Sequence, residues 1–229
     1  MLHIGIVACS TEGAALCYRT ISLEGSQRLG RHDHPEVSLH SYSLAHYMKH
    51  IEHRDWAGVA ELMLSSAEKL ARGGADFLIC PDNTIHQAFD LIEHRSSRPW
   101  LHIGREVARE AQRCKFKRLA VLGTRYLMEG PVYPEALTSA GIEYRIPGQE
   151  QRERINQIIF DELVNGHFLP RSLAYHVEVI RAFKDEGCDA VVLGCTEIPL
   201  LVTPESSPLP TLDSTRILAR AALRKAMEG

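Results

Sequence analysis

Short apolar runs alternate with longer amphipathic stretches along almost the whole chain, and this alternation restricts the fold more than any other feature of the sequence. Strand-like runs read at 3–8 (HIGIVA), 36–42, 76–80 (DFLIC), 118–123, 142–146 and 189–194 (DAVVLG), with a shorter one near 208–212. Helical periodicity falls at 12–22, 55–73, 84–94, 103–113, 131–140, 150–165, 171–186 and 213–227. Strand and helix in turn imply an α/β fold with mainly parallel sheets covered on both faces. Gly, Pro, Asn, Asp and Ser cluster after the strands, at the carboxyl ends where such sheets bind ligands.

Two segments repeat one design. GADFLICPDNT begins at Gly74 and GCDAVVLGCTE at Gly187, and each runs Gly-x-Asp, an apolar strand, then a polar turn. In register from the glycine, Asp76 meets Asp189, Cys80 meets Leu193, Asp82 meets Cys195, and Asn83 meets Thr196. Upstream, IGIVACSTEG and LAVLGTRYLMEG match more loosely. Two similar Rossmann-like domains are therefore expected, one of residues 1–98 plus 210–229 and one of 99–209, facing a shared cleft.

A strand places residues i and i+2 on one face, so pattern alone does not choose between Cys80 and Asp82. The repeat does: Asp82 is the partner of Cys195, and Cys80 becomes the last buried strand residue. Each member of that pair has a plain structural alternative. Asp82 could simply cap the helix that follows, and Cys195 could be an inert buried thiol. The functional reading of Cys195 rests on its place at a strand end before a helix, where terminal N–H groups favour a thiolate.

Two proton-handling groups on opposite sides of a substrate suit racemisation: one takes a proton from the carbon beside a carboxylate and the other returns one to the opposite face. The developing enolate needs donors, and Asn83, Thr84, Thr124 and Thr196, with Ser10 less securely, stand in turns able to hold carboxylate and amine.

Composition excludes several classes. With 229 residues, 45% hydrophobic and 24% charged, the chain can bury a proper core. The net charge of -3 and scattered basic residues point away from nucleic acid and membrane surfaces. No basic leader with an apolar core precedes the first strand, so a cytoplasmic location and free thiols at all six cysteines are expected. His50 and His53 lack a convincing ligand set, and no metal is assigned. No dinucleotide fingerprint, phosphate loop or esterase elbow is present, and no cofactor is expected.

LGCTEIPLL (193–201), DNTIH (82–86) and LDSTRILARAAL (212–223) resemble motifs of the aspartate/glutamate racemase family, nearer its aspartate-racemase branch. RPWLHIGREVAREA, LAVLGTRYLMEGPVYPEAL and, more loosely, IGIVACSTEGAALCYRTI also fit it. The resemblance implies two similar α/β domains, cofactor-free catalysis, a homodimer and a small carboxylate-bearing amino-acid substrate. It implies Cys195 as one acid/base, and it aligns Asp82 with the position of the other cysteine. Leu169 stands where aspartate racemases tend to carry a lysine, and Ala8-Cys9-Ser10-Thr11 replaces the N-terminal Gly-Gly turn. An amino acid other than aspartate is therefore the expected substrate. Relatives with one cysteine imply one alternative, decarboxylation of a malonate-type acid; the loss of both the first cysteine and the lysine implies another, an inactive member that only binds small molecules.

Overall fold

A computed structural model describes residues 1–229. The chain divides into two compact units, Met1–Ile103 with Thr215–Gly229, and Gly104–Ser214. The first holds β1 (Ile4–Ala8), α1 (Thr11–Leu29), β2 (Val37–Ser41), α2 (Leu44–Ile51), α3 (Trp56–Arg72), β3 (Phe77–Ile79), a 3-10 helix (Thr84–Leu91) and β4 (Trp100–Leu101). After α4 (Ile103–Arg113) come β5 (Arg118–Leu122), α5 (Arg125–Met128), α6 (Val132–Ser139), β6 (Glu143–Arg145) and α7 (Gln149–Asp161). A short 3-10 turn (Leu163–Asn165) leads to α8 (Pro170–Asp185), β7 (Ala190–Leu193), α9 (Ile198–Leu201) and β8 (Thr211–Asp213). The last helix, α10 (Ser214–Glu228), belongs to the first unit apart from its opening residue.

Each unit carries a four-stranded sheet, ordered β2-β1-β3-β4 in one and β6-β5-β7-β8 in the other. Every pairing is parallel. The α/β class expected from the strand–helix alternation is therefore the fold. The two crossings between units lie a few residues beyond 98/99 and 209/210. Strand pairing sets them: β4 joins β3, and β8 joins β7.

The repeat is built into the backbone. Gly74 and Gly187 hold φ of +95° and +85°, a region that disfavours any side chain, at the same point before β3 and β7. Two residues later, Asp76 accepts the N–H of His3 at 2.8 Å, and Asp189 accepts those of Lys117 and Arg118 at 2.7 and 3.2 Å. Both aspartates return their own N–H to the first strand, to His3 O and Arg118 O. The Gly-x-Asp signature thus latches the start of the third strand to the start of the first, once per unit.

Alternate strand residues drive the packing. In the first unit Ile4, Ile6, Phe77 and Ile79 meet Cys17 and Ile21 of α1 and Leu218, Ala219, Ala222 and Ala226 of α10. In the second, Ala120, Leu122, Val191 and Leu193 meet Ile155, Ile158 and Ile159 of α7 and Val179, Ile180 and Phe183 of α8. A fully buried aliphatic side chain of this kind contributes roughly 1.5–3 kcal/mol, so these clusters fix the strand ends that carry the polar turns.

Several elements differ from the sequence pattern. The helix expected at 12–22 runs on to Leu29, because Gly25 lets it pass close to His34; a Cβ at Gly25 would lie 2.9 Å from His34 Cβ. The stretch expected as a helix at 84–94 is a 3-10 helix ending at Leu91, with His86 N bonded to Asn83 O. The pattern at 150–165 splits at Glu162, where Gly166 closes the 3-10 turn in the left-handed region. His50 does have a carboxylate neighbour: its Nδ1 lies 2.8 Å from Asp55 Oδ2, and Asp55 caps α3 through Gly58 N at 2.9 Å. This contact is a helix cap.

Candidate active site

In the first unit the site is assembled at the carboxyl ends of β1 and β3. The Asp82 side chain reaches across to the β1–α1 turn. Its Oδ2 accepts the N–H of Cys9 at 3.0 Å and its Oδ1 that of Ser10 at 3.1 Å. Two backbone N–H groups thus converge on one carboxylate, which is 9% exposed. The contact spans 73 residues of sequence and ties β3 to the β1–α1 turn. Ser10, placed by that turn, caps α1 by accepting from Gly13 N at 3.3 Å. Asn83 is buried beside Asp82, and Thr84, half-buried, opens the 3-10 helix.

Cys80 is fully buried, and that burial, with the Asp82 charge behind it, pushes its thiol well above the ordinary range. It is a core thiol, as the repeat register implies. Its carbonyl accepts from His86 Nε2 at 3.0 Å, so His86 holds the end of the strand.

In the second unit the equivalent turn is Cys195-Thr196-Glu197. Glycines let β5 and β7 close on each other just before it. Gly194 N donates to Leu122 O at 2.7 Å, and a Cβ at Gly194 would meet that same oxygen at 2.9 Å. The Cys195 thiol donates to Glu197 Oε2 at 2.9 Å, and the Thr196 hydroxyl donates to the same oxygen at 2.7 Å. All three residues are buried. Thr124, at the end of β5, caps α5 by accepting from Leu127 N at 3.2 Å.

The helix after Cys195 is only Ile198–Leu201 and starts beyond Glu197. A helix this short sums few peptide dipoles, and the Glu197 carboxylate is the group to which the thiol donates. Sequence reasoning assigned Glu197 no contact. Its spacing of two from the cysteine is the signal that was available.

Within each unit, then, the expected residues gather at strand carboxyl ends: Ser10, Asp82, Asn83 and Thr84 in one, Thr124, Cys195 and Thr196 in the other. No group of three or more His, Cys, Asp or Glu side chains is arranged to hold a metal ion. No helix is long and apolar enough to cross a membrane.

Two parallel α/β units thus carry acidic and thiol side chains at matching strand ends. The sequence matches the Asp/Glu/hydantoin racemase family over residues 6–222, and the chain belongs to that family. It is similar to the broad specificity amino-acid racemase RacX of Bacillus subtilis, with 24% identity over 83% of this chain and 82% of RacX. The solved structure of a candidate Asp/Glu racemase from Yersinia pestis superposes with a TM-score of 0.91 and 31% identity, covering 99% of this chain and 100% of that one. An aspartate racemase homologue from Pyrococcus horikoshii gives 0.86 and 27%, over 99% and 100%. Glutamate racemase structures, such as that from Francisella tularensis at 15% identity and TM-score 0.72, share the fold.

Proposed function

We propose that this chain is a cofactor-independent amino-acid racemase or epimerase that moves a proton at the carbon next to a carboxylate, with Asp82 and Cys195 as its two acid/base groups. One observation carries the reading: the two residues matched by the internal repeat meet complementary neighbours, backbone N–H donors for Asp82 and a carboxylate acceptor for the Cys195 thiol. Asp82 accepts two N–H bonds and is a base; Cys195 donates its S–H and is an acid.

In one direction the Asp82 carboxylate takes the α-proton. The electron pair of the broken C–H bond moves into the substrate carboxylate, and Cys195 delivers its proton to the other face of the carbon. The reverse direction starts from the state that this leaves, with Asp82 protonated and Cys195 as thiolate, and the thiolate takes the α-proton. Asp82, now protonated, returns its own. Asn83, Thr84, Thr124, Thr196 and Ser10 are proposed to hold the substrate carboxylate and amine, where each removes some of the charge that develops. The similarity to RacX supports an amino acid as substrate, and the uncharged Leu169 favours one other than aspartate. The proposed working form is a cytoplasmic homodimer, as the family resemblance implies.

Proton NMR in D₂O with a panel of amino acids and 2-substituted malonates tests this. The expected result is loss of an α-proton signal with appearance of the opposite enantiomer, abolished in Cys195→Ala and in Asp82→Asn. Exchange that survives in Asp82→Asn removes Asp82 from the pair. Release of CO₂ from a malonate, or binding with no exchange, overturns the racemase reading.

A further inference from the structure

The register that pairs Asp82 with Cys195 also pairs Cys80 with Leu193, the residue two places earlier in each unit. Both of these residues have their carbonyl oxygen held by a buried side chain. Cys80 O accepts from His86 Nε2 at 3.0 Å, and Leu193 O accepts from the Ser214 hydroxyl at 2.9 Å. His86 is 3% exposed and Ser214 0%. The two donors are not themselves repeat mates. In the same register His86 meets Pro199 and Ser214 meets Leu101, neither of which has a polar side chain. His86 follows its carbonyl by six residues and Ser214 by twenty-one. Any buried carbonyl calls for a donor, but here each unit reaches the same backbone position with a different side chain from a different element.

The turns show what that position controls. A single residue separates each held carbonyl from the acid/base group. In the first unit it is Pro81, whose ring fixes its own φ. In the second it is Gly194, whose N–H donates to Leu122 O at 2.7 Å. Holding the carbonyl fixes the plane of the peptide bond that leads into that residue. Beyond it the side chains are caught a second time, Asp82 by the N–H groups of Cys9 and Ser10, Cys195 by Glu197. The donors are themselves anchored. His86 N donates to Asn83 O at 3.1 Å, and its ring lies against Phe89 and His102, with centroids 5.5 and 4.6 Å away. Ser214 directly follows Asp213, the β8 residue paired with Leu193.

We propose that His86 and Ser214 are a matched pair of positioning residues, each clamping the carbonyl two residues before an acid/base group and so fixing where Asp82 and Cys195 present their side chains. The inference rests on the reading of those two residues as the acid/base pair. Neither clamp touches the reacting atoms. Each acts through the backbone of its own turn.

Kinetics and thiol labelling test this together. His86→Ala and Ser214→Ala should each lower kcat for α-proton exchange by about tenfold or more, because a displaced acid or base loses its reach. KM should stay within about threefold, as expected when the loss falls on the transition state. His86→Gln returns a side-chain N–H donor and should recover most of the rate. Alkylation by iodoacetamide, followed peptide by peptide in the mass spectrometer, needs no substrate. Labelling of Cys80 should quicken in His86→Ala and that of Cys195 in Ser214→Ala, each with the other thiol unchanged, as local opening of one turn requires. An unchanged kcat in either alanine variant overturns the matched pair, and so does a His86→Gln no faster than His86→Ala. Faster labelling of both thiols in one variant also overturns it, since that marks general loosening. Absent α-proton exchange in the wild type overturns the racemase reading instead, and the labelling pattern then still decides whether the two side chains hold their turns.

Discussion

The thiol of Cys195 points at the carboxylate of Glu197, 2.9 Å away, in a turn where both side chains are buried. The same carboxylate oxygen holds the Thr196 hydroxyl at 2.7 Å, so its orientation is fixed from two sides. Replacing this carboxylate by an amide removes the charge that the thiol donates to while keeping the shape. Glu197→Gln should lower α-proton exchange by about 10²-fold, in line with loss of one general acid/base. Because the two enantiomers are equally stable, kcat/KM should fall by the same factor from either hand. Following exchange with the best panel substrate checks it, and an unchanged rate would contradict the role.

Asp82 carries a structural burden besides its proposed chemistry. In Asp82→Asn one of the two backbone donors, Cys9 N or Ser10 N, must face an amide NH₂ instead of an oxygen. Leaving a buried donor unmatched costs about 1–3 kcal/mol. A lower urea midpoint is expected together with the loss of racemisation. Asp82→Glu keeps the charge but moves the oxygens, and should lose activity too.

Asp76 and Asp189 make the same latch in the two units, and neither is placed in the chemistry. Asp76→Ala and Asp189→Ala should each destabilise the protein by about 1–2 kcal/mol, the range for a charge-assisted hydrogen bond. Activity at temperatures below unfolding should persist. Urea titrations of both variants, followed by circular dichroism, give the comparison; stability unchanged in either one would show that the latch is dispensable there.

His176 in α8 is fully buried, its Nδ1 donating to Ser172 O at 2.8 Å and its Nε2 without a hydrogen-bond partner. Burial pulls its pKa below 6.5, against the smaller opposing pull of Ser172 and Glu162. The unfolded chain therefore takes up a proton that the folded one refuses. The histidine's contribution is complete above pH 6.5 and is lost as pH falls below that value, at up to about 1.4 kcal/mol per pH unit. Stability measured from pH 7.5 to 5 should fall less steeply in His176→Gln than in the wild type.

What could be read from the sequence was whatever depends on local periodicity or on repetition. The runs at 3–8 and 189–194 became β1 and β7, every residue of both strands buried, and the Gly-x-Asp echo became a matched pair of latches. What escaped was set by distance or by brevity. β4 is two residues long and exists through its pairing with β3, too short for any alternation to mark. The bonds from Asp82 to Cys9 and Ser10 cross more than seventy residues, so sequence offered only a helix cap or an acid/base group for that carboxylate. The orphaned hydroxyl of the buried Tyr47 had no signature, because nothing in a one-dimensional pattern tells a satisfied hydroxyl from an unsatisfied one.

The division of the chain has a consequence for how it is made. Residues 104–214 form one uninterrupted unit, while the other is assembled from 1–103 and 215–229, with α10 filling one face of its core. On a ribosome the segment translated second can thus complete its packing first. The opening hundred residues must wait, with Ile4, Ile6, Phe77 and Ile79 uncovered on one side, until the last helix emerges. A truncation in α10 would strike the oldest part of the nascent chain and not the youngest.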